Sequence, residues 1–219
     1  MDSIDYLFEE NNESNLKLAT GEIIQLNNDI AVVKFLSDET ANVPITEFYP
    51  NKKWILGNKY IFVRREAHGK VSYSVKDTNL IKLLLDGLSP EVRRGDVRVI
   101  KIVREVGIRS KVTVASTVEG LNPIDSCVGP SAGRVRSLNG FLQGERVDFV
   151  NYSSNIDNYI KNALGVDVNE IIYKGNKVEV KVDPHLYLAA VGGGGINSLI
   201  ASKLVELNLS IVRSVHENV

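Results

Sequence analysis

The chain has 219 residues, 43% of them hydrophobic, with 26 Lys+Arg set against 27 Asp+Glu. These are ordinary globular values, with room for one large domain or several small ones. A formal net charge of −1 means that any nucleic-acid-binding surface must be local. The one cysteine, Cys127, excludes an internal disulfide and a cysteine-based zinc site, and no apolar run approaches the roughly 20 residues of a membrane span.

Residues 1–15, opening MDSIDYLFEENNES, form an acidic stretch around Ile4, Tyr6, Leu7 and Phe8. Its acidity argues against a signal or transit peptide, and the expected location is the cytoplasm. It reads as an N-terminal tail or as a short docking helix for a partner protein. Residues 16–78 read as β. Ile23-Ile24 and Ala31-Val32-Val33 flank an Asn27-Asn28-Asp29 turn, and Tyr60–Val63 and Val71–Val75 flank Ala67–Lys70. Several short strands in about 60 residues suit a five-stranded OB-type β-barrel. Its aromatic residues Phe48, Tyr49 and Trp54 serve either as core or as stacking surfaces for bases.

Asn79 to Leu88 reads as a helix ended by Gly87 and Pro90, connecting the barrel to the rest of the chain. Strands are expected at Val97–Val103 and Lys111–Ala115. Asn122–Asp148 then reads as helix, glycine turn, helix and strand, with Val135, Leu138 and Leu142 on one helical stripe. The pattern returns after a helix over Ser153–Leu164, for which Ser153 or Ser154 is the expected N-cap. Strands at Ile171–Tyr173 and Val178–Val182 precede a second helix-turn-helix, with Ile196, Leu199, Ile200, Leu204 and Leu207 on its closing stripe. Each unit therefore runs helix, strand, strand, helix, turn, helix, strand. That is the order of the bacterial-type (type II) KH fold, so the expected class is α+β: an OB-type barrel followed by two tandem KH domains. The expected divisions are 16–78, 79–152 and 153–219.

The turns carry the chemistry. Glycine lets the backbone bend sharply and lets a nucleic-acid backbone come close. A helix start supplies unpaired N–H groups and partial positive charge for phosphate, and in KH domains such a loop clamps single-stranded RNA. The candidate RNA-binding residues are Gly129, Pro130, Ser131, Ala132 and Gly133 in the first turn and Gly192, Gly193, Gly194 and Gly195 in the second.

Several linked segments resemble the bacterial transcription factor family NusA. Arg104-Glu105-x-Gly107-x-Arg109-Ser110-Lys111-Val112 is similar to its REPGxRSKV, with Val106 in the proline place. Pro123 and Cys127-Val128-Gly129 resemble DPVGACVG, and Gly144–Asp148 resembles GERID. Asn162-Ala163-Leu164 resembles NAL, and Leu188 to Leu204 resembles LAIGKGGQNVRLAAKL. The resemblance runs in fixed order from about Gly21 to Val212. It implies a factor that binds single-stranded nascent RNA on elongating RNA polymerase, with other transcription factors as further partners, and modulates pausing, termination and antitermination. The alternative is a scaffold that bridges polymerase or another factor without strong RNA binding.

The chain departs from that family in three ways. Only the acidic stretch stands where the family has a polymerase-binding N-terminal domain. Ala132 replaces the second glycine of the first turn and disfavours the positive φ expected there. Ser131 and Gly193 replace basic residues of the two turns.

From Glu91 to Val150 there are ten basic and seven acidic residues, a local excess of three positive charges. Arg134, Arg136, Arg109 and Lys111 are the candidate phosphate contacts. Asn197, beside the second turn, is a candidate for a base edge or sugar, or else a helix cap. Arg104 and Glu105 pair with each other or face RNA. His68, His185 and His216 are scattered, and the sequence holds no GxxxxGK[ST] loop. Catalysis, a metal site and a cofactor are not expected.

Overall fold

The computed structural model describes residues 15–50 and 52–214. The acidic N-terminal stretch, its docking-helix reading and His216 lie outside them. Five strands come first: β1 (Leu16–Leu26), β2 (Ile30–Phe35), β3 (Thr40–Pro44), β4 (Lys59–Ala67) and β5 (Lys70–Ser74). They form one sheet in the order β3-β2-β1-β4-β5, and the outer strands β3 and β5 approach each other, so the sheet is nearly closed.

Both hairpin turns have local causes. Asn27 Oδ1 accepts the N–H groups of Asp29 (2.9 Å) and Ile30 (2.8 Å), an Asx turn between β1 and β2. His68 and Gly69 both take positive φ, 51° and 71°, as a two-residue hairpin loop requires. Ile23, Val33, Phe35, Phe62 and Tyr73 fill the sheet's concave side. At Gly21 a Cβ would run into Val33 and, at 2.8 Å, the ring of Phe35, so glycine here permits close approach of the packed side chains. Phe48 and Tyr49 are buried and belong to the core, whereas Trp54 is half-buried and packs against Phe48 and Tyr60.

Helix α1 (Asn79–Leu88) buries Leu80, Ile81, Leu84 and Leu85 and packs on β1 and β4. Ser89 then starts the short α2 (Pro90–Arg93), with proline at its first turn, where the missing N–H costs nothing. Next come β6 (Val97–Glu105), β7 (Arg109–Ser116), α3 (Pro123–Val128), α4 (Gly133–Phe141) and β8 (Arg146–Asn151). The strands form a sheet in the order β6-β7-β8.

The same element order repeats as α5 (Ile156–Leu164), β9 (Glu170–Lys174), β10 (Lys177–Val182), α6 (Tyr187–Val191), α7 (Ile196–Val205) and β11 (Asn208–Arg213). β10 pairs antiparallel with β9 and parallel with β11. Two sequence expectations are corrected in detail. The N-cap of α5 is Asn155, whose Oδ1 accepts the Asn158 N–H at 2.9 Å, while Ser153 Oγ accepts the Asn155 N–H one step earlier. Leu207 lies beyond α7, which stops at a left-handed Glu206 (φ 60°), although Leu207 still packs on the core.

By contacts the chain divides into two compact units. One holds residues up to Arg94 with 106–108 and 127–146; the other holds 95–105, 109–126 and 147 onward. In the second, Ile160, Ala163, Leu164, Val178, Val180, Val182, Ala190, Ala201 and Leu204 form the buried centre. Thr113 and Tyr159 hydroxyls share a buried hydrogen bond of 2.7 Å.

Candidate nucleic-acid interface

The two glycine turns trace one backbone path. Gly129 (φ 73°, ψ 171°) matches Gly192 (φ 77°, ψ 165°), both in a region open essentially only to glycine. Ser131 (φ 48°, ψ 33°) matches Gly194 (φ 61°, ψ 18°), and Ala132 (φ 57°, ψ 27°) matches Gly195 (φ 77°, ψ 7°). The Ala132 N–H donates to Gly129 O and the Gly195 N–H to Gly192 O, each at 3.0 Å. The conformation that alanine disfavours is therefore adopted in the first turn all the same. Such a conformation carries a local cost of about 1–2 kcal/mol for a residue with a Cβ.

Glycine is required for a second reason at the head of each turn. A Cβ on Gly129 would meet Arg134 Cγ and, at 2.7 Å, Cδ; one on Gly192 would meet Asn197 Cβ at 2.7 Å. Further along the turns the space is open. Pro130, Ser131, Gly193 and Gly194 are exposed, and a Cβ at Gly133, Gly193, Gly194 or Gly195 would have no neighbour within 4 Å.

The candidate side chains separate into two groups. Arg136 is exposed and donates to Ser131 O, so it stays on the first turn. The others are engaged with the protein. Arg134 Nη1 lies 2.7 Å from Glu91 Oε2 and 3.4 Å from Ser89 Oγ. Arg109 Nε lies 2.5 Å from Asp148 Oδ2, and buried Lys111 reaches the same oxygen at 3.7 Å. Asn197 is 1% exposed and donates through Nδ2 to Leu164 O (3.0 Å) and Ala190 O (2.9 Å). Glu105 pairs with Lys203 at 2.5 Å. The buried Glu145 carboxylate accepts the Gly107 N–H at 2.7 Å. Arg109, Lys111 and Gly107 of the segment 104–112 thus find partners in Asp148 and Glu145 of the segment 144–148.

Sequence reading gave no role to Ser89 or Glu91. The available signal was Ser89-Pro90-Glu91 itself, a cap, proline and acid at a helix start. Cys127 is fully buried beside this group, and burial pushes its thiol up to about 12. The surroundings of the second turn differ in charge: no Asp, Glu, Lys or Arg occurs between Asp183 and Lys203. Tyr187–Val205 reaches a mean hydropathy of 1.3, yet it is α6 and α7 broken at the glycine turn. Among the described residues no group of three or more His, Cys, Asp or Glu is placed to hold a metal.

An α-β-β-α-turn-α-β order with its left-handed turn defines a KH-domain protein, and residues 75–152 match the model of the NusA-like first KH domain. Three relatives carry the same name, "Transcription termination/antitermination protein NusA". That of Bacillus subtilis is 31% identical over 202 residues, 89% of this chain and 54% of that protein. That of Mycobacterium tuberculosis is 30% identical over 77% of this chain and 51% of that protein. That of Thermus thermophilus is 30% identical over 90% and 53%. Along most of its length the chain is similar to these NusA proteins, and it spans about half the length of each of them.

Proposed function

We propose that this chain is an RNA-binding factor of transcription elongation, termination and antitermination, built as an OB-type barrel followed by two type II KH domains. The observation that carries the reading is the shared turn. Two helix pairs, one in each repeat, bend through the same sequence of left-handed conformations and leave two exposed positions open to solvent. Single-stranded RNA lays its phosphates along these turns, against the N–H groups that start α4 and α7. Arg136 supplies charge at the first turn. The second turn, with no Lys or Arg between Asp183 and Lys203, relies on backbone dipoles. RNA polymerase and other transcription factors are the proposed partners, and the cytoplasm is the proposed location.

A second reading, a scaffold without strong RNA affinity, is favoured by one observation. Arg134, Arg109, Lys111 and Asn197 are all engaged within the protein, and the second turn has no charged neighbour in sequence. One titration separates the two: fluorescence anisotropy with labelled single-stranded RNAs of mixed sequence at two salt concentrations. Under the RNA reading, Gly194→Asp weakens binding by repelling phosphate. Aspartate tolerates the left-handed conformation comparatively well, so the variant remains folded. Gly193→Lys, at an open position of ordinary φ, strengthens binding and steepens its salt dependence. Absence of binding at low salt, or indifference to both variants, leaves the scaffold.

A further inference from the structure

We infer that Arg134 and Asn197 are positioning residues that tie each glycine turn to the leading helical segment of its own repeat, and that Glu91 with Ser89 forms the anchor of the first tie. The inference rests on the RNA-binding reading for its functional consequence, though its geometry stands independently of it. In both turns the residue five places after the first glycine lies directly beneath that glycine, in the space a Cβ would occupy. From there Arg134 reaches the start of α2 through Glu91 and Ser89. Asn197 reaches the end of α5 through Leu164 O, and α6 through Ala190 O. Two chemically different side chains, a guanidinium and an amide, perform the same reach at the same position.

The anchor of the first tie is itself held. Ser89 is fully buried and donates to Glu91 Oε2 at 3.0 Å. Its Oγ also accepts the Val92 N–H at 3.4 Å, capping α2. The connection matters most in the first turn, where Ser131 and Ala132 occupy conformations that cost their side chains energy. A turn without glycine at those places needs external restraint to keep its phosphate-facing groups in one arrangement. Arg134 provides it from behind, leaving Arg136 and the backbone to face the ligand.

Glu91→Gln tests this because the two roles predict opposite signs. If Arg134 contacts phosphate, removing its carboxylate partner frees the guanidinium and removes a nearby negative charge, and RNA binds more tightly. If Arg134 is a tie, Glu91→Gln loosens the turn, and RNA binds several-fold more weakly. Arg134→Gln then gives a similar loss, and the double variant is little worse than either single one. Circular dichroism first establishes that each variant is folded.

The salt dependence adds a readout that separates the roles. A lost phosphate contact lowers the slope of log K against log salt by about 0.7 for a single strand, whereas a lost tie leaves it unchanged. Tighter or unaltered binding by Glu91→Gln, or a reduced slope in Arg134→Gln, overturns the inference. Amide exchange decides the matter if the wild type binds no RNA, which would refute the functional reading alone. Faster exchange at Ala132 in Glu91→Gln then supports the tie, and unchanged exchange overturns it.

Discussion

Ala132 holds a left-handed conformation that its Cβ disfavours. Glycine there removes the strain but adds freedom to the unfolded chain, so Ala132→Gly is expected to stabilise by about 0.5–1 kcal/mol net in urea unfolding. Gly192→Ala is expected to do the reverse by about 2–3 kcal/mol, since its conformation is nearly closed to other residues and its Cβ would strike Asn197. The positions of both turns were legible from glycine spacing. The roles of their neighbours were not, because Arg134 and Asn197 look like ligand contacts until their partners, 43 and 33 residues away in the chain, are known. Glu91 gives this scale a pH dependence. Its own backbone N–H, the Ser89 hydroxyl and Arg134 lower its carboxyl below the ordinary value. The ionised form's contribution is complete above the unfolded value of about 4.3 and is lost as pH falls through the lower folded value. The gap in Tm between wild type and Glu91→Gln should therefore close in that acid range.

At the scale of elements, one helix was legible to the residue. Asn79–Leu88 is α1 as expected, because its leucines, Gly87 and Pro90 all point to the same boundaries. The start of α5 was misplaced because Ser153, Ser154 and Asn155 are all competent caps, and sequence alone does not choose among them. The structure uses Asn155, so Asn155→Ala should cost about 1 kcal/mol. Ser153→Ala should cost less, since its hydroxyl serves only the N–H of Asn155, outside the helix. Thermal unfolding of the two variants side by side checks the order. The nearly closed sheet was foreseen as a barrel from its two hairpins. The close approach at Gly21 was not, because it depends on Val33 and Phe35 arriving opposite it through the β1–β2 register.

At the scale of the molecule, the repeated element order was legible, but the way contacts group the elements was not. Strands β6 and β7 share a compact unit with α5 and α7, and α4 shares one with α1. Tyr159→Phe probes the first grouping. It removes one buried hydrogen bond and leaves Thr113 Oγ1 without that partner, an expected loss of about 1–3 kcal/mol by denaturant unfolding. Each unit is drawn from segments separated in sequence, because contact pairs were selected for packing and not for adjacency along the chain.

This interleaving has a consequence during synthesis on the ribosome. The compact unit that begins with the five-stranded sheet still lacks α4 when Arg94 has been added, and it gains its last segment only with Arg146. At about 5–20 residues per second, that interval lasts roughly 3–10 s. Throughout it, α1 can pack on β1 and β4 but lacks its contact with α4. The nascent chain passes through a window in which a finished sheet carries an unfinished flank, and chaperones have their best opportunity to engage it there.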